Sequence, residues 1–173
     1  MFLATSLDGF IADKNNGLEW LEMIPNPDNN DMGYGEFIKD IDAIIMGRTT
    51  FDVVLSFGID WPYNIPVFVV SNSLQQAPEK YKDKVEIVAG TPAEIQAELH
   101  AKGFKNLYID GGQIIQSFLA ADLIDDLIIT TIPILLGGGI PLFGDLSNEM
   151  KFELTKSEVY LEQIVQSHYT RKQ

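Results

Sequence analysis

Short apolar runs alternate with polar, glycine-rich stretches along the whole chain, and the alternation predicts strands and helices in turn. Phe2 to Thr5 reads as a strand. Ser6-Leu7-Asp8-Gly9 follows with turn chemistry, because Asp-Gly readily takes positive φ. Phe10 to Ala12 resumes an extended path. Asp13 to Asp31 is rich in Asn, Pro and Gly and reads as a long loop anchored by Leu18, Trp20 and Leu21; loops of this length are more often functional than linkers. A short helix is expected around Tyr34 to Lys39. The continuous apolar run Ala43 to Met46 suits a strand covered on both faces, with a helix from about Thr49 to Leu55. Met46, Phe51 and Phe57 are expected in the core.

Pro66 to Val70 and Val85 to Val88 read as further strands. Thr91-Pro92-Ala93-Glu94 opens a helix, with Thr91 as N-cap, Pro92 in the first turn and Glu94 completing a capping box. That helix runs to about Lys102, where Gly103 stops it. Asn106 to Ile109 is a strand, and Gly111-Gly112 leads into a helix from about Gln113 to Ala121. Leu127 to Leu136 reads as a long strand broken by Pro133. Lys151 to Tyr160 and Glu162 to Thr170 read as a closing antiparallel pair. Strand–helix alternation argues for parallel strands, and the closing pair for an antiparallel edge, so the fold class is α/β. Without an internal repeat or a clear linker, residues 1–173 are expected to form a single domain.

Composition narrows the function. The net charge of −13 repels nucleic acid and anionic membrane. There is no cysteine, which removes disulfides, thiolate catalysis and Cys-based zinc sites. With only two histidines, His100 and His168, a multi-histidine metal site is not expected. His168 lies in an alternating strand and reads as structural. No apolar stretch reaches ~18 residues, so no membrane span is expected. Met1 to Ser6 has neither a basic segment nor a cleavage signature, so the expected compartment is the cytoplasm.

Against that acidic background, an anionic ligand needs local donors. Arg48 is one of only two arginines and follows a strand and a glycine in Met46-Gly47-Arg48-Thr49-Thr50. Gly47 can turn tightly and admit a ligand, and Thr49 and Thr50 stand where a helix could begin. An Arg beside a helix N-terminus at the carboxyl end of a strand is suited to a phosphate; alone, it reads equally well as a surface Arg. Ile109-Asp110-Gly111-Gly112-Gln113 repeats the strand–glycine–helix pattern. Two such sites in one small sheet suit a ligand with separated phosphates, such as a dinucleotide. Ser71 and Asn72 follow a strand end and could meet a ribose or terminal phosphate, or form an ordinary polar turn. Gly137-Gly138-Gly139 reads as a lid or a loop crossing close over its own sheet. Among the acids around the long loop, Glu19, Asp28, Asp31 and Glu36 could relay a proton; most exposed acids only solubilise.

Taken in order, Thr5-Ser6-Leu7-Asp8-Gly9-Phe10-Ile11-Ala12, Met46 to Phe51, Val69-Val70-Ser71-Asn72, Ile109 to Gly112 and Pro133 to Phe143 resemble the dihydrofolate reductase-like superfamily. More closely, they resemble the reductase domain of bacterial riboflavin biosynthesis, the RibD C-terminal type. The resemblance covers nearly the whole chain. It implies a three-layer fold with a central mixed, mostly parallel sheet of about eight strands and a closing β-hairpin. It implies NADPH as cofactor. Gly47, Arg48, Thr49 and Thr50 would hold phosphate, and Ser71 and Asn72 would lie near the adenosine ribose and its 2'-phosphate. Gly111, Gly112, Gln113 and Ile114 would cradle the pyrophosphate, and Ala4, Thr5 and Ile11 would line the nicotinamide pocket. The acid that contacts the heterocycle in such folds would be Asp31 or Glu36, or have no equivalent. The zinc deaminase domain often joined to riboflavin-pathway enzymes is not expected in a chain without cysteine. The implied function is an NADPH-dependent reductase acting on a small heterocyclic or sugar-like substrate. The alternatives are dihydrofolate reductase proper and a non-catalytic nucleotide-binding or assembly module on the same fold. The expected partners are a small-molecule substrate and a second copy, with no nucleic acid, membrane or metal.

Overall fold

The computed structural model describes residues 1–172. The chain divides into two compact units, Phe37–Leu123 and the segments on either side of it. In chain order the elements begin with β1 (Phe2–Ser6), β2 (Phe10–Ala12), α1 (Tyr34–Lys39), β3 (Ala43–Gly47) and α2 (Arg48–Ser56). Next come β4 (Val67–Val70), β5 (Val85–Val88), α3 (Pro92–Ala101), β6 (Leu107–Asp110) and α4 (Gly112–Ala120). The last strands are β7 (Asp126–Ile132), β8 (Ile140–Pro141), β9 (Phe152–Tyr160) and β10 (Ile164–Arg171).

The inner unit is a four-stranded parallel sheet in the order β5-β4-β3-β6. Its central strand explains the unbroken apolar run: Ala43, Ile44, Ile45 and Met46 have no exposed surface, as a parallel strand covered on both faces requires. Asp42 ties the start of β6 to β3, its carboxylate accepting the amides of Lys105 and Asn106 at 2.8 Å each. Phe51 is buried as expected, but Phe57 is not. It caps the end of α2 and is 53% exposed.

The outer unit holds a mixed sheet in the order β1-β7-β10-β9, in which β1 and β7 are parallel and the other pairs antiparallel. Leu161 and Glu162 both have positive φ and turn β9 tightly into β10, forming the closing hairpin. The long strand expected over Leu127 to Leu136 ends instead at Ile132. Pro133 has no N–H for a ladder, and Ile134 turns back to donate to the Ile132 carbonyl at 2.8 Å. The chain then returns in β8, which pairs with β2. The architecture is α/β with a parallel and a mixed sheet; the eight main strands fall into two ladders of four rather than one.

Candidate functional site

In the parallel unit the register brings Gly47, Val70 and Val88 level on β3, β4 and β5, and pairs Met46 with Asp110 on β6. Three helices therefore begin at one end of this sheet, and their N-termini differ. At α3 the expected capping box is present. The Glu94 carboxylate accepts from the Thr91 amide and hydroxyl at 2.8 Å each, so the protein's own anion fills that terminus. At α2 and α4 the N-caps are Gly47 and Gly111, and neither terminus has a side-chain cap. The helix thus begins at Arg48, one residue earlier than expected, and Thr49 and Thr50 lie within its first turn rather than capping it. Two adjacent strands end in helix N-termini whose first amides lack a side-chain acceptor, the electrostatic setting for an anion.

These two termini are in contact, and the glycines make that possible. Gly111 has φ +89°, and a Cβ there would fall 2.2 Å from the Thr50 hydroxyl oxygen and 3.8 Å from the Gly47 amide nitrogen. Gly47 has an ordinary φ of −76°, so it is not the tight turn expected. A Cβ on it would meet Ile114 at 3.1 Å. The glycines first allow strand ends and helices to close on one another. Gly47, Thr50, Gly111 and Ile114 are thus brought together. Gly112 is buried in the first turn of α4, Gln113 is exposed, and Thr49 is exposed on α2.

Arg48 is partly committed: its Nε faces both carboxylate oxygens of Asp52, at 2.7 and 2.8 Å. Such an exposed i,i+4 pair is worth little and leaves the two terminal guanidinium nitrogens for another acceptor. The Ser71 hydroxyl accepts the amides of Ser73 and Leu74, at 3.2 and 3.0 Å. It builds the turn after β4, leaving Asn72 exposed.

Asp110 stands directly before the glycine pair. Burial pushes its carboxyl up to about 6, against the lowering effect of the Gly111 amide that donates to it at 2.8 Å. A carboxyl raised in the folded state holds its proton more tightly there than in the unfolded chain. The stability this contributes is fully present below the ordinary value of 3.8 and is lost as pH rises through about 6. Asp110→Asn keeps the acceptor for Gly111 and removes the titration. It should flatten the fall in urea midpoint between pH 4 and 7, and a variant with the wild-type pH profile would refute this.

In the mixed unit, Ala4 on β1 packs with a cluster built from Trp20, Ile24, Ile132 and Ile164, with Met32, Ile134, Leu136 and Tyr160 around it. Trp20 is 7% exposed, and its indole N–H has no acceptor among the described residues. A buried donor left unmatched is costly, and the Trp61 indole N–H is in the same position. Thr5 is buried in β1, and Ile11 is half-buried in β2. Asp8 organises the glycine loop: one oxygen accepts from the Ser6 hydroxyl at 2.6 Å and the Leu136 amide at 3.1 Å, the other from the Gly137 amide at 2.8 Å. These bonds, led by that from Ser6, hold its carboxyl below the usual range. At Gly139 a Cβ would lie 2.0 Å from the Ala12 carbonyl oxygen, so this loop does cross closely over its own strand.

Of the two candidate acids, Asp31 caps the start of α1, its carboxylate accepting the amides of Gly33 and Gly35 at 2.9 and 2.8 Å. Glu36 is exposed on α1. The sequence reading missed the unmatched Trp20 donor and the buried Gln166. Only Gln166 had a legible signal, a long polar side chain on the inward face of an alternating strand.

The chain is 53% identical to a protein from Shewanella sp. PV-4 provisionally described as a riboflavin biosynthesis protein, with a TM-score of 0.97 over 99% of this chain and 97% of that one. It is 35% identical to the uncharacterized protein YwjB of Bacillus subtilis strain 168, over 99% of this chain and 96% of YwjB. The dihydrofolate reductase of Enterococcus faecalis, solved in complex with NADP(H), shares the fold, with a TM-score of 0.68 at 19% identity over 99% of this chain and 95% of that one. A family model matches residues 1–166, and with the glycine-capped strand ends this places the chain in the RibD C-terminal domain family.

Proposed function

We propose that the protein is an NADPH-dependent reductase that transfers a hydride to a small heterocyclic substrate. The observation that carries this is the pair of touching, glycine-capped helix N-termini at Gly47 and Gly111, beside a third terminus filled by its own Glu94. They suit the phosphates of a dinucleotide: the first amides of α2 and α4 would hold the pyrophosphate, and the terminal nitrogens of Arg48 would meet the 2'-phosphate. The nicotinamide would supply the hydride. In the mixed unit, Ala4 and the buried N–H of Trp20 would face the heterocycle, the indole donating to a carbonyl or ring nitrogen. Asp31 or Glu36 would supply the proton; Asp31 would first have to give up part of its capping role. Such chemistry suits the cytoplasm, where NADPH is plentiful.

Fluorescence titration with NADPH tests the reading. Saturable quenching in the micromolar range is expected, and a protein that binds neither NADPH nor NADH would refute it. Trp20→Phe should leave NADPH affinity within about twofold and weaken a bound pyrimidinone by about 1 kcal/mol, the net worth of one hydrogen bond. Unchanged pyrimidinone affinity would remove Trp20 from the site.

We also propose a homodimer. The edge strand β9 and its neighbour β10 expose Leu154, Val159 and Val165, and an edge with apolar side chains invites a partner. Light scattering should give about twice the 19.3 kDa chain mass; a concentration-independent monomer mass would exclude it.

A further inference from the structure

Gln166 is 1% exposed, a long amide inside the mixed sheet. Its three polar partners settle its orientation. The Met32 carbonyl, 3.0 Å away, can only accept a hydrogen bond, so the amide nitrogen must face it. That nitrogen gives its second hydrogen to the Thr130 hydroxyl oxygen at 2.9 Å. The amide oxygen is then left facing His168 Nε2 at 2.9 Å. An oxygen there needs a donor, so His168 carries its proton on Nε2.

The other end of this chain of bonds is an unusual piece of backbone. Met32 has φ +52° and Gly33 φ +85°, two successive left-handed residues of which only glycine is at ease there. The Met32 amide donates to the Asn30 side chain at 2.8 Å, and the amide of Gly33 donates to Asp31 at 2.9 Å. Those bonds lie at the surface. Gln166 grips the carbonyl between the two left-handed residues from inside the sheet, across 134 positions of sequence. The Met32 side chain packs in the Trp20 cluster. The peptide held by Gln166 therefore adjoins both the candidate acid Asp31 and the wall that carries the unmatched indole.

We infer that Gln166 is a positioning residue. By fixing the Met32 carbonyl it sets the turn that presents Asp31 and shapes the Trp20 wall, with His168 locking the amide against a flip. Its consequence for substrate binding rests on the reductase reading above; the clamp itself does not.

The test is nuclear magnetic resonance of the full chain labelled with 15N and with 13C at the Met methyls. Long-range 15N correlation on the wild type should show neutral His168 protonated at Nε2, with helix-borne His100 as internal comparison. An Nδ1–H tautomer would overturn the clamp. Gln166→Met keeps the chain length and removes both donors. It should shift the Met32 methyl and the Trp20 indole N–H while the Met46 methyl, in the parallel unit, stays in place. Gln166→Glu keeps an acceptor for His168 but loses the donors to Met32, and should shift the same two signals. Unmoved Met32 and Trp20 signals in whichever variant folds would overturn the inference, and failure of both to fold leaves the wild-type tautomer as the deciding result. NADPH titration of the same samples judges the reductase reading separately, since affinity within about twofold of wild type is expected for both variants.

Discussion

Gly111→Ala should cripple cofactor binding and lower stability more than any other single methyl added at these strand ends. Two effects add. Gly111 has φ +89°, and a left-handed conformation costs an L-residue about 1–2 kcal/mol. The new Cβ would also lie 2.2 Å from the Thr50 hydroxyl oxygen, so either Thr50 or the start of α4 must move. Overpacking of this kind typically costs about 1–3 kcal/mol. The expected loss is therefore about 2–5 kcal/mol in urea unfolding. NADPH affinity should fall by at least about tenfold, equal to 1.4 kcal/mol, because the first amides of α4 would be displaced. The pair Gly111→Ala with Thr50→Ala separates the causes. Removing the hydroxyl should return the overpacking part and leave the backbone part, giving a coupling of about 1 kcal/mol or more. Strictly additive losses would show that Thr50 does not set the requirement for glycine.

Arg48→Ala should weaken NADPH by roughly ten- to a hundredfold, the worth of a charge-assisted phosphate contact of about 1.5–3 kcal/mol. NADH, which lacks the 2'-phosphate, should change little. The pairing of Arg48 Nε with Asp52 bears on the size of the effect. It neutralises part of the charge, which favours the lower end of the range, but it also restrains the side chain. Arg48→Lys should fall between, since an ammonium keeps the charge without the planar fork. Equal loss of NADPH and NADH in Arg48→Ala would move this residue from the 2'-phosphate to the pyrophosphate. No loss of either would remove it from the site. Both titrations belong at low ionic strength, where an exposed charge acts at full strength.

Much of this protein was legible in its amino-acid order. Helix α1 and strand β5 fall where the pattern put them, and Thr91 and Glu94 cap α3 as their spacing required. These features rest on local rules: apolar period, a side chain reaching its own backbone, proline's missing donor. The resemblance carried by several ordered motifs named the family for the same reason, since each motif is a short piece of backbone chemistry.

What the sequence reading left out was set by packing that only the folded chain supplies. Gly47 looked like a turn residue, yet its backbone is ordinary, and a Cβ there would press on Ile114, distant in sequence, at 3.1 Å. The demand for glycine at Gly111 likewise comes from Thr50, whose hydroxyl occupies the space a Cβ would take. Phe57 looked like core because it is apolar, and the end of α2 leaves it in solvent. The sequence determined which segments become strands and helices, and that glycine, Arg and hydroxyl groups collect at strand ends. Only the tertiary structure decided which helix termini remain open to an anion, which buried donors lack a partner, and which way Gln166 must face, because each depends on distances between residues that the chain brings together only on folding.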